Sequence, residues 1–106
     1  MSFHEGASNI RVDDGHILRA TLRNNNGEEV EAELDLDQVI GNNNARFQWG
    51  SANFSQSAKD ISFSLEGGAN VPILRANLGG APDEYSPADV NLAERIRNDN
   101  GALVFN

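Results

Sequence analysis

The sequence predicts a mainly β domain of two tandem, diverged copies of one unit, with short helical turns between strands. A repeated string, alternating apolar residues and Asn- and Gly-rich turns predict it. Ile17-Leu18-Arg19-Ala20 recurs as Ile73-Leu74-Arg75-Ala76, an offset of 56. The same offset carries Leu22 onto Leu78, Leu36 onto Leu92, Ile40 onto Ile96, Asn42 onto Asn98 and Asn44 onto Asn100. It also carries Phe47 onto Leu103 and Trp49 onto Phe105. Upstream the offset is 51: Phe3 meets Phe54, Ala7 meets Ala58 and Ile10 meets Ile61. The five extra residues fall between Ile61 and Ile73, where Gly67 and Gly68 mark a turn that tolerates insertion. One domain spanning 1–106 is expected, with repeats at 3–49 and 54–105 joined by a linker at 50–53.

Within the first copy, Leu18, Ala20 and Leu22 alternate with Arg19, Thr21 and Arg23, the pattern of a half-buried strand. Asn24, Asn25, Asn26 and Gly27 then read as a hairpin turn, because Asn and Gly accept positive φ. Val30, Ala32 and Leu34 return as a strand whose Glu29, Glu31 and Glu33 face water. The spacing then shifts: Leu36, Val39 and Ile40 fit one helical turn with Asp35 as its N-cap. A turn at 41–44 breaks it, and Phe47 and Trp49 share one face of a further strand. The second copy repeats the order: a strand at 73–78, a loop at 79–88 holding Pro82 and Pro87, a short helix near 92–96, a turn at 97–101 and a strand at 103–105. Such a unit cannot close a core alone. The copies are therefore expected to share one, anchored by Phe3, Phe47, Trp49, Phe54, Phe63 and Phe105.

Bulk composition narrows the function. The chain has 106 residues and a formal net charge of −8, with a pI near 4.5 and a mean hydropathy of −0.49. Such a surface repels phosphate backbones and anionic membranes, so neither nucleic acid nor membrane is expected as a partner. The chain holds no cysteine, which rules out disulfides, zinc–thiolate sites and a catalytic thiol. With no basic and apolar N-terminal leader in view, a reducing cytoplasm is the expected compartment.

Several exact strings, in this order, resemble the cyanovirin-N homology family. They are Asp35-Leu36-Asp37-Gln38-Val39-Ile40-x-Asn42, Phe47-Gln48-Trp49-x-x-x-Asn53-Phe54, Val90-Asn91-Leu92 and Ile96-x-Asn98-Asp99-Asn100-Gly101-x-Leu103. The likeness covers the whole chain and is greatest to cysteine-free fungal members. Members with disulfides bridge one pair per copy, at positions matching Ala7 with Leu22 and Ala58 with Leu78. Both pairs are apolar here. The resemblance implies a cyanovirin-N-like fold of triple-stranded sheets plus β-hairpins, with elements exchanged between the copies. It also implies a lectin for mannose oligosaccharides or high-mannose glycans, typically ending in α1→2-linked mannose, with no metal, cofactor or catalysis.

Carried over by the resemblance, the first sugar site combines Ser2, Glu5 and Gly6 with Arg23, Asn24 and Asn25, completed by Asn98 and Asn100. The second combines Gly41, Asn42 and Asn44 with Asn53, Gln56 and Ser57, completed by Gly79, Gly80, Ala81 and Asp83. Asx-rich turns suit such sites, since they offer short amides and exposed backbone groups to sugar hydroxyls. Asn44 and Asn100 stand where the family commonly has Asp, and Gly79, Gly80 and Ala81 where it has longer polar side chains. The resemblance leaves open whether one site or both are active.

Other chemistry is poorly supported. His4 and His16 have no ligand-spaced partners and read as surface residues. Asp13 with Asp14, or Asp35 with Asp37, suggests a glycosidase pair, but turn and cap roles explain them better. No Asp-x-Asp string extends to a calcium loop, and Asn53-Phe54-Ser55 is a glycosylation sequon expected to go unused in a cytoplasmic protein. A module that kept the fold for protein interaction or a structural role, with sugar binding lost, is the alternative. A monomer is expected, with domain-swapped dimers possible because the linker is short.

Overall fold

The structure, a computed structural model, describes residues 3–80 and 84–105. Strands β1 (Ser8–Asp13), β2 (Ile17–Arg23) and β3 (Glu29–Asp35) form an antiparallel sheet in that order. A 3₁₀ turn at Leu36–Gln38 leads to the hairpin of β4 (Ile40–Asn42) and β5 (Phe47–Trp49). A second 3₁₀ turn, Phe54–Ser57, opens another sheet of β6 (Ala58–Glu66), β7 (Val71–Gly80) and β8 (Glu84–Asn91). A third, Leu92–Glu94, precedes the hairpin of β9 (Ile96–Asp99) and β10 (Ala102–Phe105). No helix among the described residues is long and apolar enough to cross a membrane.

The two sheets share their irregularities at the offsets read from the sequence. The β1–β2 register slips between Ser8 and Arg11, and the β6–β7 register slips between Lys59 and Ser62. Each slip holds one residue at positive φ, Asn9 (53°) and Asp60 (54°). Each of these bonds to a polar side chain of the central strand. Asn9 Nδ2 donates to Thr21 Oγ1 at 3.3 Å, and Asn77 Nδ2 donates to Asp60 Oδ2 at 3.0 Å. A bulge leaves one residue unpaired and sharpens the twist. Both sheets therefore bend at the same place.

Each hairpin packs on the sheet from the other end of the chain. β10 lies against β3, and β5 lies against β8. The N-terminal segment joins this exchange: Phe3 N–H bonds to Ile96 O at 3.3 Å. One core results, containing Phe3, Leu18, Leu22, Leu36, Ile40, Phe54, Leu74, Leu92, Ile96 and Leu103. Phe3 and Phe54 are its fully buried aromatics. Phe47, Trp49 and Phe63 are half-buried around it. Trp49 and Phe105, related by the 56-residue offset, stack on each other with centroids 5.8 Å apart and planes 15° from parallel. A residue touching its own counterpart lies where the two halves meet. The position pair Ala58–Leu78 faces directly across β6 and β7, an apolar cross-strand contact.

Two expectations are corrected. The expected loop at 79–88 is largely strand: β7 runs to Gly80, and β8 begins at Glu84. Pro87 lies in that strand opposite Asn77. It is tolerated there because β8 is an edge, where a missing N–H disrupts no second ladder. Pro82 lies outside the described residues. The expected helical turns are 3₁₀, capped by Asp35 and Asn91, whose side chains accept from the N–H groups of Asp37 and Ala93. With three residues each, i→i+3 closure replaces an α-turn.

Candidate functional site

Two junctions of a hairpin with the strand ends of the opposite sheet, the candidate clefts, share one construction. The first is built on the β2–β3 turn. Asn24 Oδ1 accepts from the N–H groups of Asn26 and Glu28, each at 3.0 Å. Asn24 Nδ2 reaches Glu28 Oε1 at 3.2 Å. The Asn24 side chain therefore holds its own turn in shape. The β9–β10 hairpin is fastened onto that turn across 75 residues of chain. Asn98 Nδ2 donates to Arg23 O at 2.9 Å, and Asn100 Oδ1 accepts from Asn25 N–H at 2.8 Å. Asn98 Oδ1 also accepts from Gly101 N–H at 2.8 Å, closing the hairpin.

The second cleft repeats this arrangement. Asn42 Nδ2 donates to Gly79 O at 2.7 Å and to Ser57 Oγ at 2.9 Å, while Asn42 Oδ1 accepts from Ala45 N–H at 2.8 Å. Asn42 and Asn98, like Gly79 and Arg23, are separated by 56 residues. One amide thus closes each hairpin and ties it to the opposite sheet. Asn42, Asn98 and Asn100 hold the hairpins to the sheets, and Asn25, Asn44 and Asn100 are exposed beside them. Gly41 bridges to Asn53 across the linker, and a Cβ on it would meet Ala52 N at 2.9 Å. Only glycine permits that approach. Asn53 itself sits at φ 64°.

The structure therefore brings Arg23, Asn24, Asn25, Asn98 and Asn100 together at one junction. It brings Asn42, Ser57 and Gly79 together at the other, with Gly41 and Asn53 behind. Asn44 and Gly80 also meet there, since a Cβ on Gly80 would lie 3.4 Å from Asn44 Oδ1. Exposed Gln56 closes the 3₁₀ turn by its N–H bond to Asn53 O at 3.2 Å. Glu5 and Gly6 lie on an exposed turn tied to the β9–β10 hairpin through Phe3. Ser2, Ala81 and Asp83 lie outside the described residues.

Sequence reasoning missed an ionic cluster behind the second cleft. His16 Nδ1 lies 2.8 Å from Asp35 Oδ1 and 3.7 Å from Asp37 Oδ2. Asp37 in turn accepts from Ser55, through its N–H at 3.0 Å and its hydroxyl. Asp37 O accepts from Asn53 N–H at 2.7 Å. The hydrogen bond to Asp35 raises the His16 pKa above 6.5, partial burial opposes it, and the charges of Asp35, Asp37 and Asp14 add to the rise. The three side chains are close enough to share a cation. Their oxygens are engaged in capping the first 3₁₀ turn and anchoring the 53–55 segment. His16 is thus a structural clasp rather than the plain surface histidine expected. Its partners lie 19 and 21 positions away, beyond any local ligand spacing.

Residues 3–104 match the model of the CVNH domain. The chain belongs to the CVNH family. A cyanovirin-N homolog of Neurospora crassa is 48% identical over 105 residues, covering 95% of each chain. The solution structure of the CVNH protein of Gibberella zeae superposes with a TM-score of 0.92 at 50% identity, covering 97% of this chain and 95% of that one. Microvirin, solved as a complex with mannobiose, superposes at 0.88 with 26% identity, covering 99% and 98%. CVNH homologues are lectins and not enzymes, and this CVNH chain is likewise no enzyme.

Proposed function

We propose that the protein is a metal-free lectin for mannose-containing oligosaccharides, with terminal α1→2-linked mannose as its preferred unit. One observation carries this reading. The same amide-stapled junction of hairpin and sheet occurs twice in the molecule, with neutral Asn side chains exposed beside it. Hexose hydroxyls both donate and accept, and amides match both roles without a charge. Mannobiose in the structure of microvirin supports the choice of sugar. Individual sites are expected to bind modestly, because water competes for every hydroxyl.

The test is a heteronuclear NMR titration with α1→2-mannobiose. Saturable shifts at 23–25 and 98–101, at 41–57 and 79–80, or at both sets are expected. An unchanged spectrum at millimolar sugar overturns the lectin reading and favours an interaction module of the same fold. If both clefts work, branched glycans are cross-linked with avidity.

A further inference from the structure

We propose that Tyr85 and Lys59 form an additional saccharide subsite beside the second cleft, taking the next hexose of a longer chain. This rests on the lectin reading above.

Tyr85 is 45% exposed, one of two large hydrophobic side chains left open among the described residues. The other, Leu65, stands near the β6–β7 turn. Tyr85 is fixed by two neighbours. Lys59 Nζ lies 4.1 Å from the ring centroid, a cation–π contact. On β7, Gly79 pairs directly with Tyr85. A Cβ on Gly79 would lie 3.5 and 3.6 Å from the ring's Cε2 and Cζ, so the ring rests against bare backbone.

That backbone belongs to the second candidate cleft. Gly79 O accepts the Asn42 amide at 2.7 Å. The same Cβ on Gly79 would lie 3.2 Å from Ser57 O. Asn42, Ser57, Gly79, Tyr85 and Lys59 therefore form one contiguous surface. The first cleft has no equivalent, since Arg23, Glu29 and Ser8 occupy the matching positions. The chemistry suits a hexose. Its apolar C–H face covers the ring once the exposed Lys59 side chain swings off it, and the phenol and the ammonium then supply donors to ring and hydroxyl oxygens. Lys59 is the sole lysine of an acidic chain.

The test compares linear α1→2-mannotriose with mannobiose on the full chain. Amide shifts at 41–57 and 79–80 are followed together with a ¹³C-methyl label placed on Lys59 by reductive methylation. The wild type is expected to prefer the trisaccharide in the second cleft, with the Lys59 methyl signal moving in step. Tyr85→Ala is expected to lower trisaccharide affinity there by about tenfold and mannobiose affinity by less than about twofold. Tyr85→Phe keeps the ring and most of the gain, and Lys59→Gln loses about threefold. If mannobiose shifts 41–57 but the trisaccharide gain is absent, or survives Tyr85→Ala, the subsite is overturned and the cleft stands. If mannobiose leaves 41–57 unmoved, the second cleft and its subsite both fall.

Discussion

In the first cleft the side-chain bulk stands on the sheet, at Asn24, and the hairpin opposite carries Gly101. In the second the bulk stands on the hairpin, at Ala45, and the sheet opposite carries Gly80. A Cβ on Gly101 would lie 3.3 Å from Asn24 Cβ, and a Cβ on Gly80 would lie 3.2 Å from Ala45 Cβ. The gap between hairpin and sheet admits one such carbon, and the halves fill it from opposite sides. The choice has a backbone consequence. Position 101 sits at φ 90° and position 45 at φ 68°. Glycine adopts that region freely, whereas Ala45 is strained there.

The largest expected effects come from the shared staple. Asn42→Ala removes three hydrogen bonds and Asn98→Ala two. At about 1 kcal/mol each, losses of about 3 and about 2 kcal/mol are expected by urea denaturation. Each variant should also lose sugar-induced shifts in its own cleft alone. Equal losses would show that the Ser57 bond adds nothing.

Next come the two αL positions, where opposite signs are expected. Gly101→Ala puts a Cβ 2.5 Å from Val30 Cγ2 and should destabilise by about 2 kcal/mol. Val30→Ala should recover part of that loss, because the matching Ser86 shows that a smaller residue fits the position. Ala45→Gly relieves strain and should stabilise by about 0.5–1 kcal/mol. Matching signs in thermal melts would break the comparison.

The pH responses are smaller. His16 has no titratable counterpart, since Pro72 occupies the matching position. Its folded pKa is raised chiefly by Asp35, so its contribution is complete below 6.5 and is lost as pH rises through the elevated value. The midpoint of denaturation should therefore fall from about pH 6 to about pH 8, and His16→Asn should flatten that slope. Glu66, hydrogen-bonded by Arg75 and then Ser64, titrates at about 2 rather than 4.5. Its contribution is present above 4.5 and fades as pH falls through about 2. The pair is exposed, so Glu66→Gln should change an acid melt only slightly, and less in high salt.

Much of this was legible in the sequence, because strands announce themselves by alternation and turns by Asn and Gly. The shared offset marked Phe3 and Phe54 as core anchors, and both are fully buried. The exchange of hairpins entered through family resemblance, since no local pattern tells Asn98 that its partner is Arg23. Amide-rich turns flagged the cleft residues, but not which amides are bonded within the fold. Asn42 and Asn98 look like Asn44 in the sequence. They differ by facing a carbonyl of the opposite sheet. Pro87 misled because proline reads as a loop until strand order shows that it lies on an edge.

The stacked rings of Trp49 and Phe105 hold the chain's one indole at the seam between the halves. Intrinsic emission therefore watches the joint. Pulling the hairpins apart exposes that chromophore and shifts its colour toward that of free tryptophan. A chain that refolds by trading hairpins with a neighbour rebuilds the same stack and glows unchanged. Fluorescence thus counts closed seams, and hydrodynamic size tells whose they are.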